Sequence, residues 1–187
     1  MNVHPRPSAE IADPKLLRKA FGAFATGVTV VTVGGASPHG MTANSFGSVS
    51  LNPPLALICV DHAAVMHDIL IATGYFGVSV LAADQESVAR HFADKWRPLG
   101  QAQFDAVKWR PGQLTGAPLI TGAIAHFECA LWRQYDGGDH TIFVANPLSM
   151  NWQDEERDAL LFFRGRFDRL AAAETEPPPQ QRREVTR

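Results

Sequence analysis

Small polar side chains are concentrated in residues 40–54, between two apolar runs of strand-like composition. Their hydroxyl and amide groups are rotatable donors and acceptors that suit the carbonyl and nitrogen atoms of a flat heterocycle. Gly47 and Ala43 are small, so backbone N–H groups there can approach such a ring closely. The polar residues are Thr42, Asn44, Ser45, Ser48 and Ser50. The composition indicates the wall of a ring-binding site, although an ordinary polar strand and turn has the same composition.

A second set of chemically useful residues lies in the last third of the chain. His140 follows two glycines and Asp139, and a histidine can exchange protons near neutral pH. Arg164 and Arg166 alternate with apolar residues, so both are expected on one side of a strand, where they would bind phosphate or another anion. The structural alternatives are a half-exposed histidine at a strand start and a solvated strand face.

The sequence lacks the motifs of enzymes that perform nucleophilic or phosphate chemistry with their own side chains. It contains no Ser-His-Asp order, no Gly-x-Ser-x-Gly elbow, no P-loop and no Gly-x-Gly-x-x-Gly fingerprint. His62 and His67 are five residues apart, which does not place them on one helical face, and no cluster has metal-ligand spacing. Chemistry carried by bound cofactors fits this inventory.

Length and composition predict one globular domain. The chain has 187 residues, 45% of them apolar, and a net charge of −2 that argues against a nucleic-acid partner. No apolar run reaches the roughly 18 residues of a membrane helix, and residues 1–10 contain no signal-peptide core. A soluble, cytoplasmic protein is therefore expected, with Cys59 and Cys129 as buried small side chains.

The hydrophobic pattern predicts many short strands and two or three helices, typical of an antiparallel barrel flanked by helices. One helix should begin at Pro14 with Asp13 as its N-cap, a second should span residues 62–73, and Asp84 should cap a third. Strands are expected over residues 28–33, 55–60, 75–81, 123–135, 140–144, 159–163 and 167–170, and the strand from residue 140 has continuation to 150 as an alternative. Residues 1–12 are expected to form a flexible arm, 13–170 the domain and 171–187 a disordered tail.

Four separated motifs, taken in order, resemble one known family. They are Phe-Gly-Ala-Phe-Ala-Thr-Gly-Val-Thr-Val-Val-Thr at 21–32, the polar stretch at 40–54, Gly-Gly-Asp-His-Thr-Ile-Phe-Val at 137–144 and Leu-Phe-Phe-Arg-Gly-Arg-Phe at 161–167. Together they look like the short-chain flavin reductase family, whose members supply reduced flavin to two-component monooxygenases. The resemblance covers residues 14–170. It implies an FMN-binding split β-barrel, mainly β with a Greek-key-like antiparallel arrangement.

The resemblance also implies a function and its partners. It implies hydride transfer from NADH or NADPH to FMN or FAD, with a flavin-dependent monooxygenase receiving the product. The absence of a Rossmann fingerprint does not oppose this, because the family binds nicotinamide over the flavin without one. One sheet of such a barrel is commonly exposed, which together with the many aromatic residues predicts a homodimer.

The site residues follow from the resemblance. Those implied to bind flavin are Thr42, Ala43, Asn44 and Ser45 at the isoalloxazine edge, Ser48 and Val49 beside the ribityl chain or ring, and Cys59, Val60, Asp61, His62, Ala63 and Ala64 at the phosphate end. His140 is implied to lie beside the nicotinamide, where it would hold the dinucleotide or steer protons to the reduced flavin. His91 and Phe92 would reach the flavin, with ordinary packing as the alternative, and Arg166 would meet phosphates.

Two positions depart from the family pattern. Members often carry serine and threonine in the turn after the central strand, whereas Ala64 and Val65 here cannot donate side-chain hydrogen bonds. Asp61 would repel a phosphate if it faced inward, so only the helix N-terminus and His62 remain to bind it. Phe167 stands where tyrosine is common. We therefore expect loosely held flavin, which favours FAD as a substrate; a non-catalytic FMN-binding electron carrier and an oxidase of a phosphorylated ring are the alternatives.

Overall fold

The computed structural model describes residues 11–152 and 157–170. The arm predicted over residues 1–12 lies outside them except for its last two residues, and the tail predicted over residues 171–187 lies wholly outside. In the described part, no helix is long and apolar enough to cross a membrane.

Three α-helices and twelve β-strands are present in the described part of the chain. The helices are α1 (Pro14–Phe21), α2 (Val65–Thr73) and α3 (Glu86–Ala93). The strands are β1 (Thr26–Gly27), β2 (Thr29–Val33), β3 (His39–Ala43), β4 (Gly47–Leu51), β5 (Pro54–Asp61), β6 (Tyr75–Val80), β7 (Trp109–Pro111), β8 (Pro118–Ile120), β9 (Ala125–Asp136), β10 (His140–Trp152), β11 (Leu161–Phe163) and β12 (Arg166–Asp168). Short 3₁₀ turns lie at Ala83–Gln85 and Gly100–Phe104.

Seven strands form one antiparallel sheet in the order β3-β2-β6-β9-β10-β5-β4. β10 pairs with β5 from His140 opposite Asp61 to Ala145 opposite Ala56, and then continues beside β9 alone. The predicted hairpin between β9 and β10 is present, and Gly138 has a φ of 84° that its turn requires. A three-stranded sheet (β1-β11-β12) and a β7–β8 pair complete the described strands. The predicted mainly-β fold with flanking helices is confirmed.

The strand β2 separates two hydrophobic cores because it is buried on both faces. Val31 and Val33 pack into a cluster closed by α2, whereas Val30 packs into a second cluster closed by α3 and the 3₁₀ turn before β7. All three side chains are at most 1% exposed, and each buried valine contributes on the order of 1.5–3 kcal/mol. The first core holds α2 through Met66 and Leu70, and β3 borders both cores, with Ala43 in the first and Gly40 against Phe92 of the second.

The helix ends agree with the sequence in two cases and differ in one. Asp13 caps α1 by accepting from Lys15 N at 2.8 Å, and α2 ends at Gly74 with a φ of 68°. The prediction that Asp84 caps α3 is wrong, because a 3₁₀ turn precedes the helix. There Gln85 Oε1 accepts from Ala82 N at 3.0 Å, and the Asp84 carboxylate pairs with Arg157 at 2.9 Å.

Candidate functional site

The polar stretch at the end of β3 is anchored by its own hydroxyl groups. Thr42 Oγ1 donates to the carbonyl of Ala89 in α3 at 2.7 Å. Ser45 Oγ donates to the carbonyl of Cys59 and accepts from its N–H, both at 3.0 Å. These hydroxyl protons hold β3 against α3 and β5. A bound ring would meet their remaining lone pairs and the nearby backbone.

Neighbouring residues in this stretch face different surroundings. Ala43 is 8% exposed, belongs to the core and pairs with Thr29, whose hydroxyl donates to the Ala43 carbonyl at 2.8 Å, so its contact with a ligand is limited. Asn44 Nδ2 donates to Thr26 Oγ1 at 3.2 Å, and Asn44 borders a cavity of about 440 Å³. The other residues of this cavity are Arg18, Phe21, Gly22, Phe24, Thr26 and Phe162. The outer strand β4 carries Ser48 and Val49, both exposed, with Val49 in a bulge opposite β5.

The turn after β5 is closed by the acidic side chain that ends the strand. Asp61 Oδ1 accepts from Ala63 N at 2.8 Å, and the Asp61 carbonyl accepts from Ala64 N at 3.0 Å. This closed turn delays the start of the helix to Val65, three residues after the predicted start. Ala64 at the N-cap supplies no side-chain hydrogen bond, so the first N–H groups of α2 are open to an acceptor.

A cavity of about 450 Å³ collects several of the predicted flavin residues. It is lined by His39, Met41 and Thr42 from β3, by Asp61, Ala63, Ala64, Val65 and Met66 from the start of α2, and by Phe92, Ala93, Lys95, Arg97 and Leu99 from the end of α3 and the segment after it. Of the residues predicted to bind flavin, the fold therefore brings Thr42, Asp61 and Phe92 together in this cavity. Lys95 and Arg97 were not predicted; two cations flanking Trp96 in an otherwise irregular stretch were the available signal.

Arg97 lies at the wall of this cavity and forms no direct ion pair with a carboxylate of the described residues. Its guanidinium donates to the carbonyl of Asp94 at 2.6 Å and to that of Gly40, both neutral acceptors. Its Nε is buried with no hydrogen-bond partner among the described residues. Burial lowers the pKa of Arg97 from its ordinary value, and the nearby Asp94 charge only partly offsets this. An anion in the cavity would give this guanidinium a direct ion-pair partner.

His39 stands next to Arg97 as a neutral acceptor. Its Nε2 lies 3.3 Å from Arg97 Nη2, and the side chain is 4% exposed. Burial and the Arg97 charge lower the pKa of His39 to about 4. The imidazole is therefore uncharged at neutral pH and accepts from the guanidinium, which helps to fix the direction of Arg97.

His140 begins β10 at the same end of the sheet as the Asp61 turn. It pairs with Asp61 across the strands, and its Nδ1 lies 2.6 Å from Asp139 Oδ1. The hydrogen bond from His140 and its charge lower the pKa of Asp139. The carboxylate engages Nδ1, and Nε2 of the half-exposed ring forms no hydrogen bond with the described residues.

His62 and His67 are closer than their sequence spacing suggested. His62 precedes α2, and the two Nε2 atoms lie 3.1 and 2.9 Å from the hydroxyl of Thr141. The ring centroids are 5.2 Å apart. The two rings do not share a helical face, because α2 begins only at Val65, but the turn before the helix brings them together. No group of three or more metal-ligating side chains occurs within residues 11–152 and 157–170.

The remaining predicted residues have mainly packing contacts. His91 Nε2 donates to the carbonyl of Gln103 at 2.6 Å, and the Phe92 ring lies against His91 and Phe104. Val60 is in the core. Arg166 is 71% exposed and lies 3.6 Å from Asp168. Arg164 does not share its strand face, because it occupies the β11–β12 turn with a φ of 50°.

Comparison with known proteins identifies the fold around these cavities. The sequence profile described as the flavin reductase-like domain matches residues 21–171, which is more than half of the chain. The chain belongs to the flavin reductase-like family. The family assignment from the four sequence motifs is thus confirmed, and the prediction of an NAD(P)H-dependent flavin oxidoreductase with it.

Several members of the flavin reductase-like family are closely similar to this chain. An NADH-dependent FAD reductase of Streptomyces globisporus is 59% identical over 169 residues, covering 88% of this chain and 92% of the relative. The structure of an NADH:FAD oxidoreductase of Streptomyces globisporus in complex with NAD and FAD fragments has a TM-score of 0.84 and 53% identity, covering 90% and 99% of the two chains. The flavin reductase component of a bacterial two-component tryptophan halogenase has a TM-score of 0.82 and 58% identity, covering 86% and 99%.

Proposed function

We propose that this member of the flavin reductase-like family is an NADH-dependent reductase of free FAD that hands the reduced flavin to a separate flavin-dependent monooxygenase or halogenase. The observation that carries the proposal is the cavity of about 450 Å³, where the start of α2 faces Lys95 and Arg97. Hydride transfer between nicotinamide and flavin is chemistry that the two bound molecules supply. The protein supplies their binding, orientation and charge compensation.

The cavity offers two kinds of phosphate-binding group. The first N–H groups of α2 lack intrahelical partners and carry the positive end of the helix dipole. Arg97 adds a partly buried cation, and Lys95 adds an exposed one. Two binding elements on different walls suit the two linked phosphates of FAD better than the single phosphate of FMN. The name of the Streptomyces globisporus relative, an FAD reductase, supports the same choice.

The same cavity also contains features that weaken flavin retention. Ala63 and Ala64 have no side-chain donors, and the Asp61 carboxylate at the wall repels phosphate. Flavin that leaves after reduction is what a supplier of reduced flavin requires, whereas an electron carrier must keep its flavin. The structure therefore supports a role for flavin as a substrate.

His140 is assigned to the exposed edge of the redox site. Asp139 fixes its Nδ1, so Nε2 is available to a bound ring and can exchange protons with reduced flavin. His140→Asn, which keeps a polar side chain without a titrating group, should lower kcat and change its pH dependence while KM for FAD stays unchanged. An unchanged pH profile would contradict this role.

We also propose a homodimer that acts in the cytoplasm, where NADH is regenerated. Beyond the last β5–β10 pair, apolar side chains are exposed on β4 and β10, the two strands that flank β5: Leu51 is 93% exposed, Met150 63% and Trp152 62%. An exposed patch of this kind is typical of a protein–protein interface. Light scattering should give twice the chain mass of 20.4 kDa, and Met150→Glu should reduce it. Ile71→Glu, at an exposed position of α2, is the control.

Equilibrium binding tests the flavin assignment without turnover. Quenching of flavin fluorescence by the purified protein should give a lower Kd for FAD than for FMN, and dialysis should remove either flavin. A yellow protein that keeps FMN through dialysis would instead support the electron carrier. No binding of any flavin would contradict the proposed function.

A further inference from the structure

Gln103 is a fully buried amide whose hydrogen bonds join two segments of the chain. It lies in the 3₁₀ turn Gly100–Phe104, and its side chain is 0% exposed. Its Oε1 accepts from Gly40 N at 2.8 Å, and its Nε2 donates to the carbonyls of Pro38 and Gly100, both at 2.9 Å. A buried amide is costly unless its polar groups are paired, and both amide protons of Gln103 are paired here. Gln103 therefore holds the segment after α3 against the start of β3.

The segment after α3 contributes little to the hydrophobic core. We call residues 93–102 the strap; all of them are described, and each is exposed or half-buried. Phe92 and Phe104 are buried on either side of the strap, with ring centroids 5.3 Å apart. Burial of apolar side chains therefore fixes the two ends of the strap. Its middle, which carries Lys95 and Arg97, depends on polar contacts.

Gly40 connects Gln103 to Arg97. It belongs to β3, which is an edge strand of the seven-stranded sheet. An edge strand has backbone groups that no neighbouring strand pairs. At Gly40 the N–H donates to Gln103, and the carbonyl accepts from the Arg97 guanidinium. The two side chains therefore bind the two backbone groups of one residue, and a shift of Gly40 would move the acceptor of Arg97.

The other contacts of Arg97 do not fix it relative to the cavity without this connection. Its hydrogen bond to the carbonyl of Asp94 lies within the strap and would move with it. Its contacts outside the strap are with His39 and Gly40, both at the start of β3. Arg97 lines the cavity of about 450 Å³, whereas Gln103 lies outside the described lining. An effect of Gln103 on a molecule bound there would therefore pass through Arg97.

We propose that Gln103 is a positioning residue for flavin binding: it holds the strap on Gly40 and thereby directs the Arg97 guanidinium towards the flavin phosphates. The inference rests on the proposed function, because it takes the phosphates of FAD as the anion that Arg97 binds. It adds a residue without flavin contact to those that determine the preference for phosphorylated flavins. A purely structural role of Gln103 would change the stability of the fold without changing that preference.

The test replaces Gln103 and compares FAD with riboflavin, which has no phosphate. Gln103→Met keeps the length of the side chain and removes its hydrogen bonds. Gln103→Asn is the milder second variant, because its amide stays polar but is too short to reach Gly40 and Pro38 together. Val78→Ala is the matched control for lost stability, because Val78 is 0% exposed in the core at β6 and lies outside the strap. Melting temperatures show how much stability each variant loses.

The Kd for FAD, measured by quenching of flavin fluorescence, should rise roughly three- to tenfold in Gln103→Met and less in Gln103→Asn. The Kd for riboflavin should not change in either variant. Val78→Ala should leave the ratio of the two Kd values unchanged, whatever its melting temperature. In the Arg97→Gln background, Gln103→Met should have little further effect on the Kd for FAD, because both changes remove the same interaction.

Three results would overturn the inference. They are an unchanged ratio of Kd values in both Gln103 variants, equal losses for FAD and riboflavin, and a full effect of Gln103→Met in the Arg97→Gln background. The wild type tests the proposed function separately, because binding of no flavin would contradict that function. Wild-type binding that prefers FAD and depends on Arg97 would leave the proposed function intact even if Gln103 had no effect.

Discussion

Replacing Arg97 by glutamine should weaken the binding of phosphorylated flavins and leave riboflavin binding unchanged. The guanidinium now contacts only neutral carbonyls and His39, so it has a charge available for an anion in the cavity. A hydrogen bond to a charged group contributes about 1.5–3 kcal/mol, which corresponds to roughly a 10- to 150-fold rise in KM for FAD. Removing the partly buried charge also removes its desolvation cost, so the loss of folding stability should be about 1 kcal/mol or less.

The assay compares FAD, FMN and riboflavin as acceptors for NADH with the wild type and Arg97→Gln. Riboflavin has no phosphate, so the ratio of the two KM values should be large for FAD and near one for riboflavin. Arg133→Gln serves as the surface control, because Arg133 is exposed on β9 and does not line the cavity of Arg97. Melting temperatures confirm that the variants are folded. Equal losses with FAD and riboflavin, or no loss with FAD, would refute the assignment of Arg97 to the phosphates.

Three further predictions concern the walls of the site and the fold that holds it. Gly40→Ala should destabilise the protein by about 1–3 kcal/mol, because its Cβ would lie 2.6 Å from a ring atom of Phe92. Gly47→Ala, with nothing within 4 Å, is the control in the same melting experiment. Burial and Arg97 lower the pKa of His39 from 6.5 to about 4, so its stabilising contribution is complete above pH 6.5 and is lost as the pH falls towards 4. The loss in free energy of unfolding is on the order of 3 kcal/mol. In His39→Gln the denaturation midpoint should therefore depend less on pH between 6.5 and 4 than in the wild type. Glu128→Gln should cost about 3 kcal/mol in urea unfolding, because the carboxylate accepts from three backbone N–H groups and two hydroxyls; an unchanged midpoint would contradict that role.

Elements specified by local chemistry were predictable from the sequence. Asp13 before Pro14, glycine at position 74 and the double glycine at 137–138 each determine a cap or turn within a few residues, and each is present in the structure. The family assignment depended on four motifs that are continuous in sequence. These signals need no knowledge of tertiary contacts, which is why they succeeded.

Features created by tertiary contacts were not predictable in the same way. Asp84 has the composition of an N-cap, but a 3₁₀ turn moves the helix start past it and Arg157 takes its carboxylate. His62 and His67 meet only because the Asp61 turn delays α2 and Thr141 on β10 lies between them.

The positions of the basic residues Arg97 and Arg164 were likewise not predictable from the sequence. Arg97 follows an irregular stretch with no periodicity, and only the folded chain brings it beside His39. Arg164 was expected on a strand face with Arg166, whereas it lies in the two-residue turn between β11 and β12. A single sequence shows which residues are charged, but not how far apart they lie in the folded protein.

The most direct test of the account is to measure NADH oxidation by the purified wild-type protein through the loss of NADH absorbance. The rate is measured first without flavin and then with FAD, FMN or riboflavin. The account predicts little turnover without added flavin, strong acceleration by FAD, and a lower KM for FAD than for FMN. An NADH oxidation rate that no added flavin increases would contradict the proposed reductase activity.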